Sequence, residues 1–248
     1  MADFDNRLAR SSGVVVGEVD AGLRAHMLRV YNYMLVGLAL TGLTAWATAN
    51  TALRDLFFQV NPSTGMMGMT GLGWIALLAP LAMVFFLSFG IQRMSVAAAQ
   101  GTFWLYAALV GIGIAPILWI YTGASVALTF FVTAATFGAM SLWGYTTKSD
   151  LSGMGSFLFM GLIGIIIASL ANFFFHSAMI NWVVSILGVV IFTGLTAYDT
   201  QYIKEMYVAS DDGTVAGRKA ILGALKLYLD FLNLFLFLLR FTGNRRQQ

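Results

Sequence analysis

Cysteine is absent from this 248-residue chain, which excludes disulfides, thiolate metal centres and thiol catalysis together. Histidine is nearly absent: His176 has only the distant His26 as a companion, so it reads as an interface residue and not as a metal ligand. Charge is scarce too. Only 10% of residues are Asp, Glu, Lys or Arg while 59% are hydrophobic, against about 25% charged residues in a typical soluble domain. Such a chain cannot cover a water-exposed surface, and its net charge of +3 sits at termini and loops. No Lys/Arg-rich face with interleaved aromatics is present, which argues against a nucleic-acid partner. No glycine-rich phosphate loop follows a strand, and no acid, base and nucleophile set marks an enzyme.

What the chain does have is seven long apolar runs: Met27 to Asn50, Trp74 to Ile91, Phe103 to Tyr121, Ser125 to Tyr145, Ser156 to Phe175, Ile180 to Ile203 and Ala220 to Phe241. Each falls within the roughly 17–25 residues that a helix needs to cross a bilayer. The predicted fold class is therefore all-α, a polytopic bundle of seven transmembrane helices whose first partner is the lipid bilayer. Residues 1–25 read as a polar cytosolic tail without the apolar core of a signal peptide, 26–243 as the membrane domain, and 244–248 as a short basic tail. Only Tyr121 to Ala124 separates the third and fourth runs, so a tight hairpin is expected there.

Orientation follows from the cations. A cytosolic N-terminus places Arg7, Arg10, Arg24, Arg29, Arg93, Lys148, Lys204, Arg218 and Lys219 inside, and leaves only Arg54 in the outside loops before the last span. Arg245 and Arg246 break this pattern, unless the last segment re-enters without crossing. Pro80 and Pro116 lie within spans two and three, where kinks or local unwinding are expected. Gly161, Gly164 and the run from Ala97 to Gly101 are expected to permit close helix approach. The Met-rich loop around Gly65 to Gly71 reads as soft apolar packing, since no His or Cys stands beside it to complete a copper site.

Two acidic residues interrupt the last two spans, Asp199 and Asp230. An ionised carboxylate in hydrocarbon costs several kcal/mol, so such residues face a bundle interior, a wet path or each other, and by default they mark ion or proton handling. Asp199 lies five residues before Lys204, and Asp230 four after Lys226, about 7.5 Å and 6 Å of helix rise. Antiparallel packing then sets both at similar shallow depth, with Lys226 reaching toward the interface. There they could share a proton, because two adjacent ionised carboxylates repel. Tyr198, Tyr228 and Asn233 are candidate supporting polar groups, Asn233 foremost because it lies one turn from Asp230. A plainer arrangement pairs Asp230 with Lys226 and Asp199 with Lys204. An aspartyl-protease arrangement also uses two carboxylates, but paired acids are necessary for that chemistry and not sufficient.

The segments Thr193 to Lys204, containing Tyr198-Asp199-Thr200-Gln201, and Leu227-Tyr228-Leu229-Asp230-Phe231-Leu232-Asn233-Leu234-Phe235 resemble the sixth and seventh spans of the bacterial branch of the Bax inhibitor-1 family. The resemblance extends over the membrane region. It implies two three-helix layers around the C-terminal helix, a bacterial cytoplasmic (inner) membrane location, and a pH-sensitive calcium leak with no enzyme activity. It also implies that Asp199 and Asp230 are the pH-sensing and gating pair and transient calcium ligands. Arg93 is the candidate latch on that pair. Protons and calcium are the implied partners, and no permanently bound cofactor is implied. Bacterial members are also similar to a modulator of a membrane-bound ATP-dependent protease, which gives a protease partner as the alternative.

Overall fold

A computed structural model describes residues 2–60 and 67–246, with the side chains of residues 21–60 and 67–246. Helix α1 runs Ala2–Asn50, followed by the short α2 (Leu53–Phe57) and a small hairpin in which β1 (Phe58–Val60) pairs antiparallel with β2 (Met67–Met69). Six further spans follow: α3 (Gly71–Gly90) with a 3-10 turn at Ile91–Arg93, α4 (Val96–Ile114) extended by α5 (Ile117–Ile120), α6 (Gly123–Thr146), α7 (Ser152–Phe175), α8 (Ala178–Glu205) and α9 (Gly213–Thr242). Seven stretches are long and apolar enough to cross a membrane, and each overlaps one predicted run. The Met-rich loop is thus partly strand; Gly65 and Met66 lie outside the described residues.

Side-chain caps mark where several helices begin. Thr70, Ser95, Thr122 and Ser177 accept from the amide three residues on, and Asp212 accepts from the amides of Thr214 and Val215. Each satisfies an amide that the first helical turn leaves unpaired, worth about 1 kcal/mol. Thr122 makes the tight hairpin between the third and fourth spans feasible. The end of α7 is closed differently: His176 adopts a left-handed conformation (φ 51°), and the Asn172 side chain accepts from the Ser177 amide at 2.8 Å. In the loop between α6 and α7 the Ser152 hydroxyl and then its amide, 2.8 Å away, donate to the Asp150 carboxylate and hold its pKa below the ordinary value. A depressed carboxylate pKa contributes stability above the unfolded value, and that contribution is lost as pH falls through the folded one.

The two prolines behave differently. Pro116 marks a break, with α4 ending at Ile114 and α5 starting at Ile117, whereas α3 continues through a buried Pro80. Neighbouring groups can compensate the missing amide within a packed membrane helix.

Helix α9 is the most enclosed span. Of its most apolar stretch 61% is buried, against 17–33% for the other six. It packs against α1, α4, α6 and α8, while α3 rests on α4 and α7 on α8. Large apolar side chains such as Phe89, Phe131 and Phe173 are exposed on the outer helices, as expected where lipid is the solvent. Tyr228 ties α9 to its neighbours: its hydroxyl pairs with Thr41 at 2.7 Å, and its ring stands edge-on to Phe103 and Tyr106.

The last helix crosses the whole bundle. Near its start the Arg218 Nε donates to Met94 O at 2.7 Å in the α3–α4 turn; beyond its end the Thr122 amide donates to Asn244 O at 3.1 Å and the Arg246 amide to Ile120 O at 2.9 Å. Its 30 residues rise about 45 Å, more than the ~30 Å hydrocarbon core. Re-entry is therefore not the path α9 takes, and Arg245 and Arg246 lie at the end opposite the α8–α9 loop.

Candidate functional site

Asp199 and Asp230 meet inside the bundle. Asp199 projects from α8 and Asp230 from α9; they are 7% and 3% exposed, and both line one cavity of about 750 Å³ bordered by α7, α8 and α9. The two carboxyl groups border the same cavity from adjacent helices. Two acids from apolar helices are thus brought to one place, as their depth along the chain predicts.

The cation between them comes from the same helix as Asp230. Lys226 Nζ donates to Asp199 Oδ1 at 2.9 Å and lies 4.9 Å from the centre of the Tyr202 ring. The Asp230 Oδ2 atom is buried and receives no hydrogen bond from a donor among the described residues. Neither plainer pairing forms. Lys204 donates instead to Tyr145 O at 2.9 Å, and Lys226 reaches across to α8 rather than pairing along its own helix. The ion pair is an interhelical tie with one carboxyl group left over.

Of the supporting residues, Asn233 and Tyr198 line the cavity. The Asn233 amide donates back to Leu229 O at 2.8 Å along its own helix. Tyr198 packs over Gly155 of α7 and stacks on Tyr202. Tyr228 does not reach the pair; two residues after Lys226, its side chain points to α1 and α4 and is spent on Thr41. Arg93 stands exposed in the 3-10 turn and makes no ion pair among the described residues. The cation on Asp199 in this structure is Lys226.

Sequence reasoning missed two contributors. Lys226, expected to reach toward the interface or to pair with Asp230 along its own helix, instead pairs with Asp199 of α8. Gln201, only 6% exposed, clamps the α6–α7 loop onto α8 by accepting from the Leu151 amide and donating to Ser149 O, both at 2.9 Å. Thr200, between them, shares a hydrogen bond with Ser141 of α6 at 2.9 Å. The α8 segment around Asp199 is therefore held from α6 and the α6–α7 loop, and its carboxylate from α9.

Comparison with known proteins agrees with this architecture over nearly the whole chain. The family described as "Inhibitor of apoptosis-promoting Bax1" matches residues 23–247. The inner membrane protein YbhL of Escherichia coli (strain K12) is 48% identical over 244 residues, covering 97% of this chain and all of that protein. An uncharacterized protein of Rickettsia prowazekii is 48% identical over 227 residues, 92% of each chain, and one of Caulobacter vibrioides 43% over 252 residues, all of both. With seven apolar spans matched end to end at this identity, the chain belongs to the Bax inhibitor-1 family of multi-pass inner-membrane proteins.

Proposed function

We propose that this protein is a pH-sensitive calcium leak in which Asp199 and Asp230 form the cation gate and Lys226 is the tethered cation that favours their ionised form and so sets the pH at which the gate opens. One observation carries this reading: Lys226 of α9 pairs with Asp199 of α8, Asp230 lines the same cavity, and one Asp230 oxygen has no donor among the described residues. With a single proton on the pair, the cluster of two acids and one lysine is neutral and compact. Losing that proton leaves an excess negative charge, which drives the acids apart or recruits a cation. Carboxylate oxygens suit calcium, but calcium takes about 6–8 oxygen ligands. Among the described residues no group of three or more His, Cys, Asp and Glu could hold a metal, so calcium would pass the pair and complete its shell with water.

The packing supports a gate of this kind. Helix α1 packs on α4 and α9 and α3 on α4, while α8 packs on α6, α7 and α9; we read these groups as two layers around a central helix. A relative shift of the layers would alter the contact between α8 and α9 where the acids meet. As a member of its family the protein is a membrane modulator and not an enzyme.

Calcium entry into proteoliposomes between about pH 6 and 8 tests the gate. Asp199→Asn and Asp230→Asn should each abolish the pH dependence, because either leaves one ionisable acid facing one lysine. An unchanged pH profile in both variants, or no flux from the native protein, would defeat the reading.

The site lies toward the end of the bundle that carries the α3–α4, α6–α7 and α8–α9 turns. We assign this end to the cytosol: Arg24, Arg29, Arg93, Lys148, Lys204, Arg218 and Lys219 cluster there, against Arg54, Arg240, Arg245 and Arg246 at the other. Because the chain has no cysteine, single substitutions report orientation cleanly. Lys148→Cys should react with a membrane-impermeant maleimide only in inverted vesicles and Asn244→Cys only in intact cells; the reverse pattern would invert the assignment.

The alternative, a modulator of an ATP-dependent membrane protease, draws on α1, which continues from its membrane span at Ala21 back to Ala2. That extension offers a partner a helical handle outside the bilayer. Reproducible capture of such a protease from native membranes, with no flux by the pure protein, would favour this reading over the leak.

A further inference from the structure

The cavity that holds the acidic pair extends well beyond it. Its lining runs along α7 from Gly155 to Leu170, about 22 Å of helix rise. On its rim Phe159, Ile166 and Leu170 are 58%, 50% and 64% exposed although they belong to a membrane span. α7 rests on α8, leaving a groove between α7 and α9 that opens sideways to lipid. The two ends of this groove differ in chemistry. Toward the α6–α7 loop lie Asp199, Lys226 and Asp230; the far end is walled by Ile165, Leu170 and Phe237, with Ser169 already spent on Ile165 O.

We propose that this groove binds a long-chain alkylammonium amphiphile, with its aliphatic chain along α7 and α9 and its ammonium at the end lined by Asp199 and Asp230. Three features select that chemistry. The groove grades from charged to apolar along its length, as an amphiphile does. Two carboxyl groups and one ammonium line this end, and the ammonium is engaged by Asp199, which favours a second cation over an anion or a neutral head. The volume of about 750 Å³ lies within the roughly 300–1,000 Å³ of small-molecule sites. Phosphate or carboxylate heads would add negative charge beside Asp199. The inference does not depend on calcium conduction, and a protein that passes no calcium can still satisfy it.

Native mass spectrometry of the full chain in non-ionic detergent, titrated with dodecylamine, dodecanol and dodecanoate, tests the site. Dodecylamine should bind at least about tenfold more tightly than dodecanol, a ratio equal to ~1.4 kcal/mol and near the low end for a hydrogen bond to a charged group. Dodecanoate should bind most weakly. Asp230→Asn should remove the preference for amine over alcohol. Should that variant fail to fold, Ser169→Phe provides a second check: it narrows the apolar end, so dodecylamine should lose about tenfold or more while hexylamine, too short to reach it, is unchanged. Equal binding of dodecylamine and dodecanol by the native protein, an amine preference that survives Asp230→Asn, or native dodecylamine binding by Ser169→Phe would each overturn the proposal.

Discussion

Lys226→Met is expected to raise the pH at which calcium flux half-develops by about one unit, equivalent to ~1.4 kcal/mol, and to let calcium compete for the acids at lower concentration. Methionine keeps the unbranched stem but removes the ammonium that contacts Asp199, 2.9 Å away. Without it, ionising both acids places two negative charges together with no counter-ion, so the singly protonated, closed cluster persists to higher pH. Unit charges at this separation attract by several kcal/mol at an effective dielectric of about 20. The Lys226 side chain keeps 35% of its exposure, so screening reduces the effect and the smaller shift is the expected one. Lys226→Arg, which retains the charge, should restore most of the native midpoint. A Lys226→Met protein with native pH dependence and native calcium response would exclude the tethered cation, while leaving the acidic pair itself to be judged by its asparagine variants.

Gly144→Ala should lower the unfolding temperature sharply and reduce the yield of folded protein, at a cost of about 3 kcal/mol, the upper end of the range for overpacking. A Cβ on Gly144 would lie 2.2 Å from the Ala197 carbonyl oxygen and 2.8 Å from its carbonyl carbon. The obstacle is backbone, and no rotamer change can relieve it. Helices α6 and α8 would have to separate at the turn that carries Thr196 and Asp199, which breaks the Ser141–Thr200 hydrogen bond nearby. Gly164→Ala is the matched control, because a Cβ there meets nothing within 4 Å; it should be neutral or slightly stabilising, since alanine is the better helix former. Equal melting temperatures for the two variants would contradict the close approach of α6 and α8.

These two glycines show how far composition carries. Gly161 and Gly164 share helical spacing in one span, yet a Cβ on the first would meet Ile191 at 3.0 Å and on the second nothing. Two glycines on which helix packing depends, Gly144 against Ala197 and Gly111 against Thr41 and Thr44, carry no spacing signal of their own. Small residues permit contact, but which of them is used depends on what the partner helix presents. The same limit applied to Tyr228. Its place beside Asp230 in the chain suggested support for the acids, while the rotation of two residues from Lys226 carries its hydroxyl to Thr41 on another helix.

Seven spans, the all-α class and the two acids embedded in apolar helices could be read from the chain because they are local properties. A bilayer selects segments by length and hydropathy, and a carboxylate within such a segment is conspicuous wherever the segment packs. The pairing of Asp199 with Lys226 in place of Lys204, the clamp by Gln201, the full crossing of α9 and the groove beside α7 were decided by tertiary structure. Each depends on the relative rotation and height of two helices distant in sequence. Helical periodicity defines which residues share a face; only packing determines what stands opposite that face.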